Sequence, residues 1–193
     1  MNPKTFIFFG RAGCGKGTQA QLLVKHLESA GEKAVYIETG AKLREFIKTP
    51  GLTQKLTGEI MAKGGLLPSF LPIWIWAGIF IENLTGKEHV VLDGLSRQPY
   101  EAPVLANALK FYDRQNPTVI ILNISNEVAM QRSLARGRMD DQVKDIEARL
   151  AWYDNNVVPT IEYYRQDKYF KIIEINGEQS KEKVTADIIA AIS

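Results

Sequence analysis

One cysteine, two histidines and no long apolar run set the first bounds on this chain. Cys14 has no second cysteine to pair with. That excludes an internal disulfide and a cysteine metal cluster, and it fits a reduced, cytoplasmic compartment. The histidines, His26 and His89, fall in a helical pattern and at a strand start, so both read as structural. No Ser-His-Asp set and no metal-ligand spacing is present. The most apolar stretch, Phe70 to Ile81, is too short to span a bilayer and contains Pro72. No signal-peptide pattern precedes the first strand. A bias of charge is lacking too. There are 24 basic and 22 acidic residues, a formal net charge of +2, which gives no reason to expect nucleic-acid binding. The 193 residues, 45% of them hydrophobic, suit one domain with a sizeable core, expected to act as a monomer.

What is present begins with Gly10-Arg11-Ala12-Gly13-Cys14-Gly15-Lys16-Gly17-Thr18. It follows the apolar run Phe6-Ile7-Phe8-Phe9 and precedes a helical pattern. Strand, glycine loop and helix together are the context of a phosphate-binding P-loop. Glycines let backbone N–H groups turn inward around an anion, and the following helix points its positive end there. Lys16 adds a full charge for the outer phosphates, and the Thr18 hydroxyl suits a magnesium ion. Gly17 stands where a hydroxyl residue usually follows the lysine. Cys14 reads as a small loop filler.

Apolar runs alternate with helical patterns, the mark of a parallel α/β sheet. Strands are predicted at Thr5–Phe9, Ala34–Glu38, His89–Asp93, Thr118–Asn123 and Tyr169–Ile175, each a short apolar run as expected for strands covered on both faces. Helices are predicted at 16–30, 42–48, 53–63, 68–84, 99–113, 127–136, 142–166 and 181–192, with Pro159 breaking or kinking the seventh. About fifty residues of helical pattern separate the second and third strands, too long for a simple crossover. This reads as a helical insertion walling a cleft, with a second, shorter insertion centred on 136–141. Trp74 and Trp76 lie two apart, so one is expected in the core and one at its edge.

Val90-Val91-Leu92-Asp93-Gly94 is an apolar strand ending in a carboxylate, the Walker B pattern, which helps hold magnesium waters beside a P-loop. Arginines follow the turns: Arg44 after Thr39-Gly40, Arg97 after Asp93-Gly94, and Arg132, Arg136, Arg138 and Arg149 about the second insertion. Planar guanidinium forks match the spread charge of a phosphoryl group in transfer. Some of them are also expected to pair with Asp140, Asp141, Asp145 and Glu147.

Together these residues resemble the adenylate kinase family of nucleoside monophosphate kinases, nearly end to end. Gly10–Thr18 with Gln19 resembles its G-x-P-G-x-G-K-G-T-Q loop. Thr39-Gly40 with Arg44, Met61 with Gly64-Gly65-Leu66-Leu67-Pro68, Asp93-Gly94-Leu95-Ser96-Arg97, the arginines of the second insertion, and Asn176-Gly177-Glu178-Gln179 resemble its further motifs. The resemblance implies a three-layer P-loop NTPase fold with a five-stranded parallel sheet. The core would comprise 1–38, 85–131 and 142–193, with an NMP-binding insertion at 39–68 and a short lid, without cysteines, at 132–141. It implies reversible transfer of the γ-phosphoryl of ATP-Mg to a nucleoside monophosphate. Gly13, Cys14, Gly15, Lys16, Gly17, Thr18, Arg136 and Gln179 would bind ATP. Thr39, Gly40, Arg44, Met61, Gly65, Leu66, Leu67, Gly94, Arg97 and Glu101 would bind the acceptor, with Arg138 and Arg149 bridging the two. Lys16, Arg97, Arg136, Arg138 and Arg149 would be catalytic, and Thr18 and Asp93 would serve Mg2+, Asp93 through water.

Departures from the family pattern gather on the acceptor side. Ser96 and Gln98 replace Pro and Thr, and Ala41 replaces an Asp. Glu101 stands where the family has a Gln suited to adenine. An ionised Glu101 accepting from guanine N1–H and N2–H implies a guanine acceptor; a Glu101 facing solvent, with Gln98 supplying the amide, leaves AMP. A weakly active nucleotide sensor is the third reading.

Overall fold

The computed structural model describes residues 3–63, 65–137 and 141–193. Five parallel strands form one sheet in the order β2-β3-β1-β4-β5: β1 (Thr5–Gly10), β2 (Ala34–Glu38), β3 (His89–Asp93), β4 (Thr118–Asn123) and β5 (Lys171–Asn176). Helix α1 (Lys16–Ser29) follows β1. Helices α2 (Thr39–Phe46), α3 (Leu52–Ala62) and α4 (Phe70–Asn83) fill the long segment between β2 and β3. Helices α5 (Glu101–Phe111), α6 (Asn126–Arg136), α7 (Val143–Trp152), α8 (Val158–Gln166) and α9 (Lys181–Ile192) complete the chain.

Alternate residues of each strand point to opposite faces of the sheet, and each face has its own core. Ile7, Phe9, Leu92, Val119 and Ile121 bury against Trp76, Phe80, Leu105, Ile161 and Tyr164 of α4, α5 and α8. Phe6, Phe8, Val91, Ile120 and Leu122 bury against Leu23, Ala129, Ile146 and Ile188 of α1, α6, α7 and α9. Helix, sheet and helix are thus the three layers expected. A smaller cluster of Leu43, Leu67, Leu71 and Ile75 holds α2 to α4. Trp76 is buried, while Trp74 is exposed and meets Phe46 edge-on.

The differences from expectation have local causes. β1, β3 and β4 are covered on both faces, but the edge strand β5 alternates exposed and buried residues, because fewer elements cover it. It also starts two residues late. Tyr169 and Phe170 are apolar enough to read as strand, yet Phe170 closes a turn onto the Asp167 carbonyl at 3.0 Å. Helix α2 starts at Thr39, directly from β2, so Thr39-Gly40 form its first turn rather than a loop. Helix α5 starts at Glu101, because residues 98–100 form a turn before it. Pro159 does interrupt the long seventh helix. Residues Tyr153–Val157 make a π-helical turn in which the Val158 N–H reaches back five residues to the Tyr153 carbonyl. The Asn156 side chain then caps the Trp152 carbonyl at 3.2 Å, a group the wider turn leaves over.

Candidate active site

The carboxyl ends of β1, β2 and β3 open onto one cavity of about 270 Å³. The P-loop forms its floor. Gly10 ends β1 at φ 152°, where a Cβ would lie 2.5 Å from Cys14 Sγ and 2.8 Å from the Leu122 carbonyl. Gly13, at φ 80°, would press a Cβ to within 2.8 Å of the Ala129 carbonyl. Only glycine fits both positions. Gly15 caps α1 in a left-handed conformation, which brings Lys16 to the first position of the helix and to the cavity wall. Cys14 is buried beneath the loop as a filler.

A second group stands where β2 and β3 end. Glu38 and Asp93 are opposite each other in the sheet register. The Tyr36 hydroxyl lies 3.3 Å from Asp93 Oδ2 and 3.4 Å from Glu38 Oε2. Burial, and then the Asp93 and Glu38 carboxylates, push the Tyr36 phenol far above its ordinary pKa, so it is a neutral donor. Asp93 is 5% exposed, yet its Oδ1 is buried without a partner in the chain. A Cβ on Gly17 would come within 3.0 Å of Asp93 Oδ2, so a side chain there would crowd this carboxylate. Glu38 also pairs with Arg44 at 2.8 Å. Sequence reading passed over Tyr36 and Glu38; the signal was a carboxylate closing a strand beside the Walker B strand. Asp93 and Glu38 present hard oxygen donors of the kind Mg2+ prefers, and the unpartnered Asp93 Oδ1 would fit a water of such an ion's shell.

The wall expected to take the acceptor comes from α2, the end of α3, the segment before α4, and the turn after β3. Thr39, Gly40, Arg44, Met61, Gly65, Leu66, Leu67, Gly94, Arg97 and Glu101 all line the cavity. Thr39 is buried with its hydroxyl unpartnered. Arg97 folds over Gly94, its Nε donating to the Gly94 carbonyl at 3.0 Å, and a Cβ on Gly94 would collide with that guanidinium. Glu101 is 3% exposed, so the reading that turns it to solvent is corrected. Gln98 is buried as well. It precedes α5 instead of sharing a helical face with Glu101, and it is not among the residues lining the cavity.

Opposite stand the arginines of α6 and α7. Arg136 grips Asp141 with two bonds, Nε to Oδ2 at 3.0 Å and Nη2 to Oδ1 at 2.7 Å. Arg149 Nη2 reaches the same Oδ1 at 2.6 Å. Asp141, with a side chain 1% exposed, therefore ties α6 to α7 and aligns two guanidiniums at the cavity. The ion pairing expected of Asp141 is present, and both arginines still reach the site. Arg138 lies outside the described residues, as do Gly64, Met139 and Asp140. Arg132 is turned to the β5–α9 loop, donating to the Gly177 carbonyl at 2.7 Å. That loop packs against the P-loop: a Cβ on Gly177 would lie 3.6 Å from the Cys14 carbonyl. Gln179 sits in it with its amide donating to the Asn176 carbonyl and to Asp187 Oδ2, at 3.0 and 2.9 Å.

Two further residues were missed. Arg11, inside the P-loop, stacks 4.9 Å over Tyr153 and pairs with Asp154 at 2.7 Å, tying the loop to the π-helical turn. Burial pushes the Tyr153 phenol up to about 12. Trp152 lines the cavity with its indole N–H buried and unpartnered in the chain.

A glycine cradle after β1, a carboxylate after β3 and converging guanidiniums define a P-loop α/β protein built for phosphoryl chemistry. A family model described as Adenylate kinase matches residues 8–169. The chain is 33% identical over 186 residues to adenylate kinase 1 of Nostoc sp., covering 96% of this chain and 97% of the relative. It is 32% identical over 189 residues to an adenylate kinase of Azobacteroides pseudotrichonymphae, covering 95% and 94%. It is 31% identical over 186 residues to that of Corynebacterium urealyticum, covering 96% and 97%. The chain belongs to the adenylate kinase family and is a nucleoside monophosphate kinase. No helix among the described residues is long and apolar enough to cross a membrane.

Proposed function

We infer that the protein transfers the γ-phosphoryl of ATP-Mg reversibly to AMP. The observation that carries this reading is one cavity lined by Lys16 at the P-loop, Arg44 and Arg97 on the acceptor wall, and Arg136 and Arg149 opposite. Two polyanions can meet only where such charge is gathered. An oxygen of the acceptor phosphate attacks the γ-phosphorus in line. The bond from that phosphorus to the β–γ bridging oxygen breaks, and two nucleoside diphosphates result. The attacking oxygen is already anionic, so no general base is needed. Lys16 holds the donor phosphates, Arg44 and Arg97 hold the acceptor phosphate, and Arg136 and Arg149 neutralise charge on the group in transfer. Mg2+ bound near Thr18, Asp93 and Glu38 would offset the charge of the ATP phosphates. The insertion 39–68 and the lid 132–141 would fold over the cavity and exclude water, which otherwise hydrolyses ATP.

AMP is favoured over guanine nucleotides for two reasons. The relatives carry the name adenylate kinase. The Glu101 oxygens already accept hydrogen bonds from Ser69, Arg97 and Gln98. The test is turnover of a panel of monophosphates at saturating ATP-Mg, with Lys16→Met as the blank. AMP consumed with matching ADP formation supports the reading. ATP binding without conversion of any acceptor sinks it and leaves a sensor.

A further inference from the structure

Glu101 lines the acceptor wall, in a position open on sequence grounds to reading the base. A carboxylate has about four acceptor positions, and here three are taken, with the fourth facing the Gln98 amide at 3.5 Å. Oε2 accepts from the Arg97 backbone N–H at 2.7 Å and the Gln98 backbone N–H at 3.3 Å. Oε1 accepts from the Ser69 hydroxyl and lies 3.5 Å from Gln98 Nε2. The Gln98 amide is equally committed: its nitrogen is 3.0 Å from Ser69 Oγ and 3.4 Å from the Leu67 carbonyl, and its oxygen accepts from Tyr100. Guanine's two adjacent N–H donors would not find two free acceptor positions here.

Part of this arrangement is an ordinary helix cap. Glu101 reaches back three residues to the Gln98 N–H, one half of a capping box, and its own N–H closes a turn onto the Gln98 carbonyl at 2.9 Å. The bonds to Arg97 and Ser69 go beyond a cap. The turn that presents Arg97 is a strained one. Gly94 has φ 74° and Ser96 has φ 52°, a left-handed conformation that a serine keeps only when its surroundings impose it. Tyr164, fully buried in α8, donates to Ser96 Oγ at 2.7 Å and fixes one side of that turn. Glu101 fixes the other. Ser69 belongs to the segment entering α4, 32 residues earlier, so the same carboxylate joins the acceptor segment to the Arg97 turn.

We propose that Glu101 is a positioning residue: it fastens the Arg97 turn to the acceptor segment at Ser69 and does not read the acceptor base. The proposal rests on the kinase reading above. Loosening Glu101 then weakens capture of any acceptor phosphate through Arg97, whatever base is attached, and leaves the ATP site alone.

The test compares the full-length wild type with Glu101→Gln, Ser69→Ala and the double variant, using AMP and GMP at saturating ATP-Mg. Each single variant should raise the acceptor KM by about three- to tenfold, the range for one or two buried hydrogen bonds. The KM for ATP should stay put. The AMP-to-GMP ratio of kcat/KM should remain within about twofold of wild type. The double variant should lose less than the product of the singles, because both remove one shared linkage. A ratio moved about tenfold or more by Glu101→Gln, with Ser69→Ala silent, assigns Glu101 to base reading and overturns the proposal. Calorimetric titration of AMP and GMP reads the same ratio as binding. Failure of the wild type to turn over either acceptor would therefore defeat the kinase reading while still judging Glu101.

Discussion

The proposed donor and acceptor halves of this site are built from different materials. The donor half is backbone: Gly10 and Gly13 allow a close approach that any Cβ would block by contacts under 3 Å, and Lys16 follows at a helix start. The acceptor half is side chain: Glu38, Arg44, Ser69, Arg97, Gln98 and Glu101 bond to one another or to nearby backbone. A backbone cradle leaves little to vary, because each glycine is fixed by a φ and a wall. A side-chain network can be rewired, provided every buried polar group keeps a partner. The departures from the family pattern at 41, 96, 98 and 101 lie in the second half, while the quoted loop pattern is departed from only at Ala12, where it has Pro and where no glycine is lost.

The largest effect should come from Lys16, the cation proposed for the donor phosphates. Lys16→Met should lower kcat by ~10²–10³-fold, the range for removing a charge-stabilising donor from such a site. Thermal unfolding should be nearly unchanged, since among the described residues the Lys16 ammonium makes only a long 3.5 Å contact, to the Arg11 carbonyl. Gly13→Ala tests the backbone claim itself. The methyl must sit at φ 80° and meet the Ala129 carbonyl at 2.8 Å and Ser133 Oγ at 3.1 Å. A destabilisation of about 1–3 kcal/mol follows, which differential scanning calorimetry would register as a fall in Tm of about 3–10 °C. An unchanged Tm with full ATP affinity would break the comparison.

On the acceptor side the expected losses are smaller. Glu38→Gln keeps the shape but removes the charge that faces Asp93 across the Tyr36 hydroxyl and pairs with Arg44. The apparent affinity for Mg2+ in the presence of ATP should fall by about three- to tenfold, in keeping with one water-mediated contact. Magnesium titration of both turnover and thermal protection would measure it. If neither moves, Glu38 serves Arg44 alone.

How much of this was legible follows the same division. The P-loop and Walker B strand are local, so spacing alone located them, and β2, β3 and β4 were found to the residue: β3 and β4 because burial makes them apolar runs, the half-buried edge strand β2 from its short run Val35, Tyr36 and Ile37. The pairing of Arg11 with Asp154 crosses 143 residues, and that of Ser69 with Glu101 crosses 32; neither leaves a local trace. Nor does sequence say which oxygen of a carboxylate is already occupied. Glu101 was therefore recognisable as a departure, but its commitment to the Arg97 turn was not. Asp141 was noticed as a counter-ion, yet that one buried carboxylate serves both Arg136 and Arg149 depends on how α6 meets α7.

The smallest expected effect lies at the amino end of β3, opposite the carboxyl ends where the site opens. His89 accepts the Lys4 backbone N–H on Nδ1 at 3.0 Å, so its proton is on Nε2, 2.9 Å from Glu32. Burial lowers its pKa below the ordinary 6.5, against the pull of Glu32, with Lys4 and Arg114 adding to the decrease. The unfolded chain therefore takes up a proton at higher pH than the folded one. The stability due to neutral His89 is complete above about pH 6.5 and is lost as pH falls through the folded value. Next to it, burial alone would raise Glu88, but hydrogen bonds from Thr85, Lys87 and its own N–H hold it at about 2 against an ordinary 4.5. That contribution, present above 4.5, is lost only as pH falls towards 2. Acid should thus weaken the fold in two stages. In His89→Phe, whose ring can keep the near-parallel stack on Phe6, the first stage should vanish while the second remains. Tm measured from pH 7.5 to 3 would separate them, and a wild-type Tm that is flat between pH 7 and 5 would remove His89 from the account.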